Sequence, residues 1–232
     1  MIKLATKNDY LENVNPELKQ LVDNYKSKTN STGAEEIDYA NLYLNIRTNK
    51  YKEIFEAGTG VTTLVIAYAL YKNYREDGIK GRVTSMEEIY SYHKQAVELL
   101  PEYLKDFVDY RLSEVVVDYY SIYRGFRYSS TPIRKYDFCW IDGPACDVPK
   151  SKGKLAFDID LIHILNMTDK ISGFIDCRYS TSYVFQQLFG EKIRFVGIEG
   201  AGVGVIDNVC KSDLDIAFKN QFEFYLHKLG VG

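Results

Sequence analysis

Glycines and acidic residues stand together at two points of the chain where a buried strand is expected to end. The first point is Glu56-Ala57-Gly58-Thr59-Gly60, which follows apolar Ile54-Phe55 and precedes an apolar pattern with helical spacing. Gly58 and Gly60 would let a polar ligand approach the main chain, and a sharp turn there favours positive φ. The second point is Asp142-Gly143-Pro144. The strand, glycine turn and helix predict a binding loop for a small molecule.

Two well-known glycine loops fit the first stretch poorly. The phosphate-binding P-loop requires Lys after its last glycine, and no Lys follows Gly60. The dinucleotide fingerprint requires a third glycine or alanine at the position of Thr63, so close packing over a pyrophosphate is disfavoured. An NAD-dependent oxidoreductase therefore stays only as an alternative function.

Other polar residues follow later strand-like runs. In an open α/β sheet a ligand lies beyond the carboxyl ends of the strands, near the point where strand order reverses. An acidic side chain at such an end can accept hydrogen bonds from ribose hydroxyls. The candidates are Glu87 and Glu88 after the second strand, Ser113 and Glu114 after the third, and Asp176 and Arg178 after the fifth.

Strand-like runs recur with the spacing of successive βαβ units, which predicts a parallel sheet covered by helices on both faces. The end of the chain departs from this rhythm because only a glycine-bearing turn separates its last two runs, which predicts a hairpin. The predicted strands are Ile54 to Glu56, Val83 to Glu87, Phe107 to Leu112, Phe138 to Asp142, Ile171 to Asp176, Ile193 to Ile198 and Val203 to Ile206. A surface helix is expected over Ser212 to Leu229.

The first 50 residues read as amphipathic helices packed on this core. Thr32 and Glu35 have the spacing of a capping box ahead of one helix. We expect residues 1–50 to form an N-terminal helical segment and 51–232 the main domain, with one domain overall. A cluster of tyrosines between Tyr119 and Tyr128 is interpreted as an amphipathic helix with a trailing loop, with stacking on a substrate ring as the alternative.

Composition and charge limit the kinds of partner that the sequence predicts. The 232 residues carry a net charge of −3, which gives no basic footprint for nucleic acid. No apolar run reaches the roughly 18 to 20 residues of a membrane span, and no signal sequence opens the chain, so a cytoplasmic location without membrane contact is expected. Cys139, Cys146, Cys177 and Cys210 lack metal-ligand spacing. The basic run Lys150 to Lys154 is interpreted as a solvated loop, with an anionic substrate group as the alternative.

The acidic residue followed by G-x-G resembles the first motif of class I S-adenosylmethionine-dependent methyltransferases. The stretch from Tyr136 to Pro144 is similar to the YD-x-x-x-x-DGP segment of members that methylate oxygen of small molecules and saccharides. This resemblance implies a Rossmann-like three-layer sandwich whose seven-stranded, mostly parallel sheet ends in an antiparallel hairpin. It also implies S-adenosylmethionine as cofactor and S-adenosylhomocysteine as product.

The resemblance assigns roles to the candidate residues. It implies that the cofactor is held by Glu56, Gly58 and Gly60, by Glu87 with Glu88 as the alternative, by Ser113 or Glu114 at the adenine, and by Asp142. Asp142 is the first candidate for the base that deprotonates a hydroxyl acceptor, and His163 is a more distant one.

The residues that follow the fifth predicted strand are expected near the molecule that accepts the methyl group. Asp176 and Arg178 are expected on the substrate side, where Arg178 pairs with the carboxylate of Asp176 or Asp142 or with an anionic group of the substrate. Cys177 stands where related cation-dependent enzymes have an amide, so a divalent metal is disfavoured. A protein that binds the cofactor without catalysis is a further alternative, and a homo-oligomer is compatible with the sequence.

Overall fold

The computed structural model describes residues 2–30, 34–144, 157–198 and 201–214. Helices begin and end close to the capping and glycine signals of the sequence. The helices are α1 (Leu11–Val14), α2 (Pro16–Lys26), α3 (Glu36–Asn49), α4 (Val61–Asp77), α5 (Tyr90–Leu99), α6 (Asp160–Leu165) and α7 (Tyr179–Phe189). The strands are β1 (Glu53–Ala57), β2 (Arg82–Glu87), β3 (Val108–Leu112), β4 (Val115–Tyr120), β5 (Tyr123–Tyr128), β6 (Phe138–Ile141), β7 (Phe157–Asp158), β8 (Ile171–Ile175), β9 (Ile193–Ile198) and β10 (Ala201–Val209).

Seven strands form one sheet in the order β3-β2-β1-β6-β8-β10-β9. The pairs from β3 through β8 are parallel, whereas β10 runs antiparallel to both β8 and β9. The expected seven-stranded, mostly parallel sheet with an antiparallel hairpin at its end is therefore confirmed. The strands β1, β2 and β3 follow one another towards one edge of the sheet, and β6 and the later strands lie on the other side of β1. Strand order therefore reverses between β1 and β6.

Alternation along β1 divides the core into two faces. Ile54 belongs to the apolar cluster that contains α4, and Phe55 belongs to the cluster that contains α6 and α7. Successive side chains of a strand point to opposite faces, so Glu56 returns to the α4 side. This strand is buried on both faces, as expected for the centre of a parallel sheet between helical layers.

The N-terminal helices join the same core as α4. Leu18 and Val22 of α2 and Leu42 of α3 are fully buried in the cluster formed with α4 and the sheet. The backbone N–H of Glu35 donates to the Asp38 carboxylate, 2.9 Å away, at the start of α3. The expected helical character of this segment is thus seen, while the division at residue 50 stays a prediction.

The interpretation of the tyrosine cluster as a helix was wrong. Residues 115–128 form an antiparallel hairpin of β4 and β5, and β5 also pairs with β7 in a second, three-stranded sheet. The valines and tyrosines of this stretch favour strands because branched and aromatic side chains pack well on a pleated surface. A two-residue turn at Ser121-Ile122 joins the strands, and Ser121 has a φ of 54°. The hairpin stands where the βαβ rhythm predicts a helix between β3 and β6.

Several sequence features lie outside the described residues. These are Thr32, Cys146, the basic run Lys150 to Lys154, the turn residues Glu199 and Gly200, and all but the first residues of the expected terminal helix.

Candidate functional site

The polar residues singled out in the sequence gather at the carboxyl ends of β1, β2 and β6. These ends flank the point where strand order reverses, which is the usual ligand site of an open α/β sheet. The backbone N–H of Asp142 donates to Ala57 O at 2.9 Å, so the first and fourth of the predicted strand ends are directly bonded. Ser113 N donates in the same way to Glu87 O at 2.8 Å.

Gly58 is required by backbone geometry. Its φ is +89°, and a Cβ there would lie 3.1 Å from the backbone nitrogen of Gly143. A Cβ on Gly143 would in turn lie only 2.4 Å from Gly58 N. The two glycines of the two sequence motifs therefore pack against each other, and the Gly143–Pro144 peptide bond is cis. The sequence prediction attributed the need for glycine to a ligand, whereas the structure adds contact between two backbones.

Glu56 is fully buried beneath the loop and bonded to the first turn of α4. Its carboxylate accepts hydrogen bonds from the hydroxyls of Thr62 at 2.7 Å and Thr63 at 2.6 Å. Burial raises the pKa of Glu56 to about 7, although the hydroxyl contacts lower it. Thr63 Oγ1 also accepts from the backbone N–H of Gly60 at 3.1 Å. Glu56 thus fixes the loop from below, and its direct contact with a cofactor stays a prediction.

Glu87 ends β2 with its carboxylate beside the glycine loop. It accepts backbone N–H groups of Thr59 at 3.3 Å, Glu88 at 3.1 Å and Ile89 at 2.9 Å, and the residue is only 5% exposed. A carboxylate offers about four acceptor positions, so one position remains for a ribose hydroxyl. Burial raises the pKa of Glu87 to about 7.

Glu88 points to a different partner. Its Oε2 lies 3.1 Å from the hydroxyl of Tyr128, which is fully buried at the end of β5. The same hydroxyl lies 3.2 Å from Gly58 N. Sequence reasoning missed Tyr128 because the stretch around it was interpreted as a helix, and its strand-like composition was the available signal.

Ser113 and Glu114 lie where the chain leaves β3 for the hairpin. The buried Ser113 hydroxyl donates to Glu114 O at 3.3 Å, accepts from Ser130 N at 3.1 Å and lies 3.4 Å from Ser129 Oγ, so it connects the end of β3 with the segment after β5. Glu114 is exposed. Their proposed adenine contacts stay predictions.

Asp142 and Asp176 form a carboxyl pair at the ends of β6 and β8. Burial and the charge of Asp176 raise the pKa of Asp142 well above its ordinary value, although the charge of Arg178 lowers it. Arg178 Nη2 lies 4.0 Å from Asp142 Oδ1, and the guanidinium donates to the backbone oxygens of Asp142 and, at 2.7 Å, Pro144. Arg178 is thereby fixed to the Asp142-Gly143-Pro144 segment beside the Asp142 carboxylate, which is one of its expected partners, and its contact with a substrate stays a prediction.

Helix α3 brings a further acid to this pair. Asp38 is buried, and its pKa is raised to about 7 by burial and, more weakly, by Asp176. Asp38 also contributes to the raised pKa of Asp142. The N-terminal segment therefore covers the same end of the sheet as the two strand-end aspartates. No sequence motif marks Asp38, since only packing brings α3 to this place.

His163 lies on α6, half-buried. Its pKa is lowered by burial and then by Arg127, while Asp118 raises it. Both of these neighbours belong to the β4–β5 hairpin. Asp142 is not among the groups that act on the imidazole, so the structure gives no support to contact between the two candidate bases.

Within the described residues, no group of three or more His, Cys, Asp or Glu side chains has an arrangement that could hold a metal ion. None of the described helices combines the length and the apolar character that a membrane crossing requires.

Comparison with solved structures identifies the fold. The chain is similar to the O-methyltransferase TomG from Streptomyces achromogenes, a structure in complex with SAM, at 13% identity over 82% of this chain and 89% of that one, with a TM-score of 0.51. A methyltransferase from Geobacter sulfurreducens follows at 11% identity, the same coverages and a TM-score of 0.48. No protein-family model and no curated protein sequence matches the chain. The chain has the fold of the class I S-adenosylmethionine-dependent methyltransferases.

Proposed function

We propose that the protein transfers a methyl group from S-adenosylmethionine to a hydroxyl of a small molecule or saccharide. One observation carries the proposal: the glycine loop, Glu87 and Asp142 lie at the carboxyl ends of the neighbouring strands β1, β2 and β6, where strand order reverses. A nucleoside cofactor with a cationic centre needs this combination of open main chain, ribose acceptor and nearby acids. The shared fold with solved methyltransferases supports it.

The described residues fit the cofactor. Glu87 retains acceptor capacity next to the backbone of Thr59, and it is held by three N–H groups that leave its side chain little freedom. Gly58, with a φ of +89°, lets the loop turn sharply and pack against the backbone of Gly143. When bound, the cofactor supplies an electrophilic methyl group on sulfur.

The acceptor side is formed by Asp142 and its neighbours. A hydroxyl acceptor must lose a proton, and a base works best when its pKa lies near the working pH. Burial and, after it, the charge of Asp176 raise the pKa of Asp142, which makes its deprotonated form a stronger base. The main-chain bonds of Arg178 keep the Asp142 segment in place. Holding the acceptor oxygen close to the methyl group contributes much of the rate in such a displacement.

Calorimetry tests the cofactor. We expect S-adenosylmethionine and S-adenosylhomocysteine to bind and NAD not to bind. Glu87→Ala should weaken S-adenosylhomocysteine binding about tenfold or more, because a hydrogen bond to a charged group contributes about 1.5 to 3 kcal/mol. Glu53→Gln is the matched control, since Glu53 lies at the opposite end of β1 and faces Arg82. Binding of NAD alone would contradict the proposal.

A transfer assay tests Asp142. With a panel of hydroxylated small molecules and saccharides, Asp142→Asn should lower turnover about a hundredfold, since general bases contribute roughly 10²- to 10⁴-fold. Affinity for S-adenosylhomocysteine should stay within a few-fold of the parent. Normal turnover in Asp142→Asn would remove its role as base, and cofactor binding without transfer to any acceptor would favour the noncatalytic alternative.

A further inference from the structure

Tyr128 joins two parts of the candidate cofactor site that are far apart in sequence. The side chain is fully buried, and its hydroxyl lies 3.2 Å from Gly58 N, 3.1 Å from Glu88 Oε2 and 3.3 Å from Met86 O. Gly58 belongs to the glycine loop, whereas Met86 and Glu88 belong to the end of β2 and the residues after it. One hydroxyl therefore contacts both the loop and the acidic strand end.

The polarity of these contacts follows from the groups involved. A tyrosine hydroxyl has one proton to donate and lone pairs with which to accept. The Gly58 N–H donates to Met86 O at 3.0 Å and is shared with the Tyr128 hydroxyl at 3.2 Å, and the nearer acceptor of the hydroxyl's own proton is the Glu88 carboxylate. Burial raises the pKa of Tyr128 well above its ordinary value, so the hydroxyl stays protonated. The contact to a carboxylate is the stronger kind of hydrogen bond.

The tyrosine is itself held firmly in place. Its backbone N–H donates to Asp160 Oδ2 at 3.1 Å, and Phe126 O on the same strand accepts from Ile159 N at 2.8 Å. Strand β5 belongs to the hairpin that stands in place of a helix between β3 and β6. The β4–β5 hairpin, bonded to the start of α6, therefore holds Tyr128 in place.

We propose that Tyr128 is a positioning residue for the cofactor. The backbone bond from Gly58 N to Met86 O holds the glycine loop to β2, and the Tyr128 hydroxyl fixes the Glu88 carboxylate beside that loop, and with it the chain that follows Glu87. The inference rests on the proposed function. Loss of the hydroxyl removes this donor to the Glu88 carboxylate and lets the Glu87–Glu88 segment shift relative to the loop.

Calorimetry with S-adenosylhomocysteine on the full chain tests the role. Tyr128→Phe should bind up to about tenfold more weakly, because the segment that the hydroxyl orders in the free protein must then be ordered when the cofactor binds. Tyr136→Phe is the matched control: Tyr136 is also fully buried, but its hydroxyl donates to Pro132 O at 2.9 Å. Its affinity should stay within about twofold of the parent, even if both variants melt at a lower temperature.

A double-mutant cycle tests the route through Glu88. Glu88→Gln should weaken binding about threefold by making the acceptor neutral, and it should add little to Tyr128→Phe because both act on one hydrogen bond. Hydrogen exchange of the Gly58 amide should be faster in Tyr128→Phe and unchanged in Tyr136→Phe. Full additivity, or unchanged exchange, would overturn the shared contact as the cause.

The outcomes separate the two proposals. If the parent protein binds S-adenosylhomocysteine and Tyr128→Phe binds it equally well, the positioning role is wrong and the proposed function stands. If the parent does not bind it, the proposed function is wrong and this inference falls with it. If Tyr128→Phe does not fold, the Glu88→Gln variant tests the positioning role by itself. Unchanged cofactor affinity and unchanged exchange of the Gly58 amide in Glu88→Gln would then contradict that role.

Discussion

At the scale of single residues, the hydroxyl of Thr63 explains a departure from familiar glycine loops. Its position is where a dinucleotide-binding loop has a third glycine. Here the hydroxyl donates to buried Glu56 and accepts from Gly60 N, so it connects the strand end, the loop and the helix start. The residue that argues against NAD in the sequence therefore has its own part in shaping the loop.

Replacing Thr63 with Val keeps the side-chain shape and removes this hydroxyl. We expect the free energy of unfolding to fall by about 1 to 3 kcal/mol, because a buried carboxylate oxygen and a buried N–H lose their partner. Thr63→Ser keeps the hydroxyl and is the control, with a smaller loss. Urea unfolding measures both. Equal losses in the two variants would show that the methyl group, and not the hydroxyl, matters.

At the scale of elements, helix α4 and the hairpin position the site. Helix α4 begins directly after the glycine loop and ends at Gly78, whose φ is +69°. The N–H of Gly78 donates to Tyr74 O at 3.0 Å, and Ile79 N donates to Asn73 O at 3.2 Å, which closes the last turn. The hairpin provides Tyr128 from the other face of the sheet.

Gly78→Ala tests the end of α4. No heavy atom lies within 4 Å of a Cβ built at Gly78, so only the left-handed backbone opposes the substitution. We expect a loss of about 1 kcal/mol in the free energy of unfolding. Gly197→Ala is matched, because its Cβ also meets nothing within 4 Å and its φ lies outside the left-handed region. Its change should stay within about 0.5 kcal/mol, and an equal loss at both positions would contradict the conformational explanation.

At the scale of the whole molecule, buried carboxyls determine how stability responds to pH. Burial raises the pKa of Asp38, Glu56, Glu87 and Asp158 to about 7. Between the ordinary carboxyl pKa and these values, the folded protein holds protons that the unfolded chain has released. The free energy of unfolding should therefore decrease as the pH rises from about 5 to about 8.

Glu56→Gln should flatten this dependence. Glu56 is fully buried, and the rise in its pKa from 4.5 to about 7 corresponds to about 3 kcal/mol as an order of magnitude. Chemical unfolding at several pH values measures the slope. Glu191→Gln is the control, because Glu191 is exposed, and it should leave the slope unchanged. A slope in Glu56→Gln equal to that of the parent would contradict the raised pKa.

The seven strands of the main sheet, their order along the chain and the polar residues at their ends could be predicted from the sequence. Strand alternation and glycine turns are local signals, so Glu56, Gly58, Glu87 and Asp142 stood out without coordinates. The second sheet was not predicted: tyrosines and valines between 115 and 128 form a hairpin, and the two residues of β7 pair with it.

Tertiary structure alone decided which of these groups meet. The contact between Tyr128 and Gly58 spans 70 residues of chain. Asp38 lies on helix α3, yet its charge acts on Asp142 at the end of β6. Such contacts depend on how layers pack across a sheet, which a period of two or 3.6 residues does not encode. For the same reason the raised pKa values, which need burial and neighbouring charges, became visible only in the folded molecule.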